Sequence, residues 1–407
     1  MSTDASTIEL NPRVAAVQPS ATLAMSARAG ELRREGKPVI ALSAGEPDFD
    51  TPAPISEAGQ QAIREGFTKY TASAGMIELR EAIARKLKKD NGLDYGADQI
   101  LCCNGAKQAI AQAVMTLVRS DDEVIIPAPY WVSYPEMVRL AGGTPVPLPT
   151  TVDNAYRVKP AELDAAINDR TRLFFLCSPS NPTGSVYSPD ELEALAEVLR
   201  KYPDVYVLSD EIYEQIIFDA EQLSFATLEG MKDRTITING FSKAYAMTGW
   251  RLGYQAAPKP IRDASAKVQS QFTSGPSSIS QKAGIAALAM DKEPIQEMVA
   301  AFRRRRDFLI EALNDLPGVE CPTPEGAFYV FPEISDYFGT TAPDGRTIDD
   351  SNDLCFYLLE EWNVAAVPGA AFGAPEGLRM SYAVSMDDLE MAMERVSDGL
   401  RQLKVES

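Results

Sequence analysis

Lys243 and Arg251 share one segment, GFSKAYAMTGWRLG at residues 240–253, a Gly- and Ser-containing turn after the strand-like run TITIN. A lysine held in such a turn can bond covalently to an aldehyde cofactor while the arginine binds an anionic tail of the same molecule. Other segments carry groups of matching chemistry. CNGAKQAIAQAVMTLV puts Gly105, Ala106 and Lys107 at a turn opening a helix, where unpaired backbone N–H groups can cradle a phosphate. APYWVSYP sets Trp131 just past the apolar run EVIIP, where an indole can stack on a flat ring. SPSNPTG supplies Asn181 at the end of another apolar run, where open α/β sheets bind ligands. VLSDEIYE closes a third on Asp210, with Tyr213 three residues on. A carboxylate ending an apolar strand is costly unless a cation meets it, and a protonated pyridine nitrogen is such a cation. Singly, these features read as a helix start, a core tryptophan or a cap for EIYEQ. Together with the lysine block they point to pyridoxal phosphate.

Inventory removes the competing chemistries. The chain has 407 residues and no histidine, which excludes Ser-His-Asp and Cys-His catalysis and any His-ligated zinc. Proton transfer near neutral pH must then fall to Lys, Tyr or a carboxylate. The five cysteines (Cys102, Cys103, Cys177, Cys321, Cys355) are scattered without metal-ligand spacing and read as small hydrophobes, so no metal site is expected. A net charge of −19 opposes nucleic-acid binding. That acidity suits either concentrated salt or an ordinary acidic enzyme, and composition leaves both open. No stretch approaches a membrane span, and the polar start MSTDASTIELNP is unlike a signal peptide, so cytoplasmic residence is the expectation.

The elements that must position these groups are legible as alternating strands and helices. EVIIP, RLFFLCS, VYVLSD, TITIN and LGYQAA are strand candidates, and their alternation with helical patterns predicts a mostly parallel α/β sheet. Ser188, Pro189 and Glu191 form a capping box for DELEALAEVLRKY, while Met76, Leu79, Ile83 and Leu87 make an apolar stripe that stops at Gly92. After about residue 290 a long helix, GAFYVF, VAAVPGA, LRMSYA and a terminal amphipathic helix suggest a smaller α+β unit. The expected division is residues 1–50 joining the small unit, 51–290 as the large cofactor-binding domain, and 291–407 as the small domain. Arg303 to Arg306 read as a solvated helix face rather than an anion site.

From about Arg13 to Leu403 the sequence resembles the fold-type I, class I aminotransferases, specifically the bacterial aspartate and prephenate aminotransferase branch. PSAT, AGEPDFDTP, KYTASAG, NGAKQ, PAPYWVSYPEM, SPSNPTG, SDEIYE, GFSKAYAMTGWRLGY, GAFYVF, VPG and LRMSYA carry the likeness. It implies a seven-stranded, mostly parallel sheet between helices plus a smaller domain. It further implies that Lys243 bonds to pyridoxal phosphate, Asp210 pairs with the ring nitrogen, Asn181 and Tyr213 meet the ring oxygen, and Trp131 stacks on the ring. Gly105, Ala106, Lys107, Ser242 and Arg251 would surround the phosphate, with Tyr70 supplied by the second subunit of a homodimer. Arg379 and Gly45 would hold the substrate α-carboxylate beside Trp131 and Asn181, and Lys107, Ser20 and Thr22 would face its distal carboxylate. One departure stands out: some relatives carry histidine three residues after the tryptophan, where this chain has Tyr134.

The chemistry that follows is ping-pong transfer of an amino group between aspartate or glutamate and a 2-oxo acid, with aspartate and 2-oxoglutarate as the leading pair. Prephenate, which also carries a second carboxylate, is an additional acceptor or the dedicated one. A pyridoxal-phosphate C–S β-lyase would need the same Lys243, Asp210 and Arg251. A non-catalytic cofactor-binding regulatory protein is the remaining reading, and the acidic chain offers it no basic recognition helix.

Overall fold

The computed structural model describes residues 9–403. Its centre is a sheet of seven strands: β1 (Ile100–Cys103), β2 (Glu123–Ala128), β3 (Thr144–Pro149), β4 (Thr171–Cys177), β5 (Tyr206–Asp210), β6 (Thr235–Gly240) and β7 (Gly253–Ala256). Their spatial order is β1-β7-β6-β5-β4-β2-β3. Only β7 runs against its neighbours; the other adjacent pairs are parallel, as expected for an α/β chain. Parallel strands need both faces covered, and successive side chains divide between the two layers. Val124, Ile126, Leu173 and Phe175 pack into one core with the helices Ala106–Leu117 and Ser133–Ala141. Ile125, Phe174 and Leu176 pack into another with Leu192, Leu195 and Leu199 of the helix Pro189–Arg200.

Helix ends follow the capping rules. Ser188 Oγ accepts the Glu191 N–H at 3.3 Å and Glu191 returns the bond to the Ser188 N–H at 2.8 Å. Gly92, at φ 69°, stops the helix Ile77–Asn91 in a left-handed conformation that costs glycine little.

Sequence patterning misses two strands, β1 and β3. β3 reads TPVPLP, a composition that argues against an interior strand. It lies at the sheet edge, where the Thr144 N–H bonds inward to the Asp122 carbonyl. Alternate positions therefore face outward, and these are Pro145, Pro147 and Pro149, which have no N–H to leave unmet. At the opposite edge, the Cys102 N–H of β1 bonds to Ala74 O, and its carbonyl accepts from Gln269 Nε2 at 2.8 Å.

A second, three-stranded antiparallel sheet joins β8 (Tyr329–Val330), β9 (Val367–Pro368) and β10 (Leu378–Ser381), in the order β9-β10-β8. Ile40–Ala41 pairs with Val364–Ala365. One core accordingly unites Met25, Leu32 and Leu42 with Leu309, Leu358 and Val396, and it extends to Tyr213 and Ile216.

The arginine run departs from the expected solvated face. Within the helix Glu293–Asn314, Arg303 and Arg306 both pair with Asp219, and Arg305 forks onto Asp48 at 2.7 and 2.8 Å. Only Arg304 is exposed, because acids brought in from distant segments reach the other three.

Candidate active site

The ends of β4 and β5 lie side by side, with Cys177 registered against Asp210. Above them opens a cavity of about 420 Å³ lined by Lys243, Asp210, Tyr213, Asn181, Trp131, Ala106, Lys107, Ser242, Arg251, Gly45, Arg379, Ser20 and Thr22. All of these are sequence-predicted site residues. Gly105 stands just behind the lining. At φ 80° it caps the helix Ala106–Leu117, and a Cβ there would meet the Arg251 guanidinium at 2.7 Å. Tyr70 is not among the lining residues: it is 99% exposed on its own chain.

Lys243 is part-buried, and its Nζ donates to the Gly45 carbonyl at 2.5 Å. Burial first, and then repulsion from Arg379, push its pKa down to about 8, against a smaller pull upward from Glu46. Its loop holds two non-glycine residues, Ala246 and Arg251, at φ 47° and 51°. Strain of that kind persists where the surroundings over-determine the backbone. Here Thr51 donates to Ala246 O at 2.6 Å, and Arg251 donates to Thr248 O at 2.8 Å.

Asp210 is 4% exposed, and burial raises its pKa to about 6. Tyr134 OH donates to Oδ2 at 2.7 Å and the Ile212 N–H donates to Oδ1 at 3.3 Å, both favouring the charged form. Tyr134 is itself pinned by an edge contact from Trp131 at 5.3 Å and by Phe175 at 4.6 Å. The tyrosine that departs from the histidine pattern thus orients the aspartate directly. A turn rather than a helix follows Asp210, so helix capping does not account for it.

Arg379 is 2% exposed, and burial lowers its pKa. It donates to Asn181 Oδ1 at 3.1 Å and to Ser43 O at 2.8 Å, while Nε has no partner. A buried guanidinium with unmet hydrogens fits a carboxylate of a bound molecule. Lys107 Nζ sits 4.8 Å over the Trp131 ring, its pKa lowered by burial and by Arg251.

The donor set suits pyridoxal phosphate. A buried carboxylate suits a cationic ring nitrogen, an amine of lowered pKa lines the same cavity, and a helix start without a side-chain cap shares it with Ser242 and Arg251 for the phosphate. Among the lining residues to which sequence reasoning assigned no role are Glu46, which accepts from Thr248 at 2.9 Å, Thr248 itself, and Tyr329. All three lie inside segments that carry the family resemblance, but nothing in their spacing distinguishes them from structural residues.

A family model for class I and II aminotransferases matches residues 37–396. A Petunia hybrida protein named bifunctional aspartate aminotransferase and glutamate/aspartate-prephenate aminotransferase is 54% identical, over 98% of this chain and 84% of its own length. The aspartate/prephenate aminotransferase of Nitrosomonas europaea is 46% identical, over 96% of this chain and 99% of its own. Among solved structures, the aspartate aminotransferase of Rhizobium meliloti superposes with a TM-score of 0.94 at 45% identity, covering 98% of this chain and 100% of that one. The Thermus thermophilus aspartate aminotransferase with maleate gives 0.90 at 42%, covering 96% and 100%.

Proposed function

The chain belongs to the class I and II aminotransferases, a pyridoxal-phosphate-dependent family, and from that premise we propose that it transfers the amino group of aspartate or glutamate to 2-oxo acids, with prephenate among the acceptors. The observation that carries the substrate reading is the pairing of two cations in one cavity. Arg379 takes the α-carboxylate, and Lys107 stands with Ser20 and Thr22 for a second, distal carboxylate. The names of the relatives at 54% and 46% identity support aspartate as a donor and prephenate among the acceptors.

When bound, pyridoxal phosphate supplies an aldehyde carbon that receives the amino group and a protonated ring that draws electron density from the substrate Cα. The chain does the rest. Asp210 holds the ring-nitrogen proton, and Tyr134 holds Asp210. Asn181 and Tyr213 would meet the ring oxygen, while Gly105, Ala106, Ser242 and Arg251 would grip the phosphate. Arg379 and Gly45 fix the α-carboxylate so that the Cα hydrogen faces Lys243. The Lys243 amine, its basicity reduced by burial, would take up the substrate Cα proton as a base and hold it for return as an acid.

Lys107→Ala should raise KM for aspartate and oxaloacetate at least about tenfold, as loss of a charge-assisted hydrogen bond implies, while KM for phenylalanine moves little. Equal losses for both substrates would remove Lys107 from the distal subsite. Rates with prephenate, oxaloacetate and 2-oxoglutarate, each against aspartate and glutamate, decide the acceptor; no turnover of prephenate would strike it from the reading.

We further propose a homodimer with shared sites. The full exposure of the Tyr70 side chain supports its entry into a second subunit, and the exposure of Phe272, 70%, supports an apolar contact between subunits. Sedimentation of the holoenzyme should give twice the chain mass, and Tyr70→Phe should weaken cofactor retention about tenfold by loss of a phosphate hydrogen bond. A monomer that retains full activity would refute the shared site. The core joining residues 25–42 to 298–403 supports the division into a large unit over 51–290 and a small one formed by 1–50 with 291–407. Separate melting of the two units by hydrogen exchange would test it. Among the described residues no helix is long and apolar enough to cross a membrane, and five free thiols support residence in the reducing cytoplasm, which cell fractionation checks.

A further inference from the structure

Tyr329 lies where three working parts of the site meet. On β8 it is registered against Ser381 of β10, which places Arg379, two residues earlier on β10, diagonally across from it. The Arg379 guanidinium carbon sits 4.6 Å from the centre of the Tyr329 ring, within cation–π range. The Tyr329 hydroxyl is 2.9 Å from that of Tyr213. It also crowds Gly45, where a Cβ would stand 3.2 Å from the Tyr329 oxygen, and the Gly45 carbonyl is the one that holds the Lys243 amine. Tyr329 itself is fully buried.

Hydrogen counting gives this cluster a direction. Burial raises the pKa of both phenols, so each hydroxyl keeps its single proton at neutral pH and can donate it once. If Tyr213 donates to Tyr329, it has nothing left for a cofactor oxygen. If Tyr329 donates to Tyr213, the proton of Tyr213 is free to point into the cavity, and the received bond polarises it further.

We propose that Tyr329 is a positioning residue whose hydroxyl donates to Tyr213, committing the Tyr213 proton to the cofactor ring oxygen, while its ring seats Arg379 for the substrate carboxylate. This rests on the reading above that Tyr213 meets that oxygen. A core tyrosine kept only for packing would be replaceable by phenylalanine without effect on the cofactor; a donor in this chain is not. Substrate binding at Arg379 and the electronic state of the cofactor are thereby linked through one side chain.

The test is the pH midpoint of the visible absorbance change of the holoenzyme without substrate, read for the wild type, Tyr213→Phe, Tyr329→Phe and the double variant, together with kcat, KM and Tm. Donation to the ring oxygen favours the deprotonated form of the lysine-bound cofactor. Tyr329→Phe should therefore raise the midpoint by about half a unit, a roughly threefold change in the proton equilibrium. It should lower kcat severalfold with KM for aspartate changed less than about twofold, since the ring under Arg379 remains. The shift should vanish in the Tyr213→Phe background. Should Tyr329→Phe fail to fold, 3-fluorotyrosine at position 329, a more acidic donor of the same shape, should move the midpoint down.

A Tyr329→Phe midpoint equal to wild type, with or without a drop in Tm, overturns the proposal. So does an equal shift in both backgrounds. If Tyr213→Phe alone moves the midpoint while Tyr329→Phe does not, only the role of Tyr329 falls. If Tyr213→Phe leaves it unmoved, the contact of Tyr213 with the ring oxygen fails, and the proposal fails with it.

Discussion

Lys243→Ala should slow the half-reaction with aspartate by at least about 10⁴-fold, the upper range for loss of a positioned acid–base group. The groups nearest in chemistry are engaged elsewhere. The chain has no histidine, the phenols of Tyr134 and Tyr213 are held protonated by burial, and Asp210 is engaged by Tyr134 and the Ile212 N–H. Stopped-flow absorbance of the loaded protein mixed with aspartate measures the effect, and a loss below tenfold would sink the assignment. The wild-type amine carries a pH signature as well. With its pKa depressed to about 8, covalent capture of pyridoxal phosphate by the cofactor-free chain should rise about tenfold per pH unit and level off near 8, rather than near the 10.5 of an ordinary lysine.

Asp210→Asn should lower kcat about 10³-fold with little change in KM for aspartate, because the carboxylate acts on the charge that develops as the Cα proton leaves. Tyr134→Phe should be milder, about tenfold in cofactor affinity, the size of one hydrogen bond to a charged group. Linkage supplies an independent check. The pKa of Asp210 in the folded, cofactor-free chain is raised, to about 6, so its contribution to stability is full below the ordinary carboxylate value and is lost as pH rises through 6. A cationic ring nitrogen offsets that loss. The Tm gap between loaded and cofactor-free protein should therefore widen from about pH 4 to about pH 7 by more in the wild type than in Asp210→Asn, since whatever Lys243 contributes over that window is common to both. Equal widening of the gap in the wild type and in Asp210→Asn would count against the ion pair.

Much of this site was readable before any coordinates, because its main residues sit beside local punctuation. Asp210 closes an apolar strand, Asn181 follows one, Gly105 opens a helix and Lys243 follows TITIN, so each inherits a position from its own segment. What could not be read depends on contacts across long separations. Tyr213 meets Tyr329 from 116 residues away, and Arg379 reaches Asn181 from 198. The strand formed by TPVPLP was hidden for a related reason: its prolines are tolerable only because of where the strand lies in the sheet, which its own composition does not reveal. Arg303, Arg305 and Arg306 looked like a wetted face because Asp219 and Asp48 are remote in sequence.

The proline rim of β3 has a consequence for the molecule in a crowded solution. A bare strand at the border of a sheet is a template on which a foreign segment can add by backbone pairing, the first step toward fibrils. Along β3 every second donor is abolished by covalent structure, and at the other border β1 is occupied by Ala74 and Gln269. Replacing Pro145 or Pro147 with valine would restore donors at that rim, opening a route to self-templated aggregation.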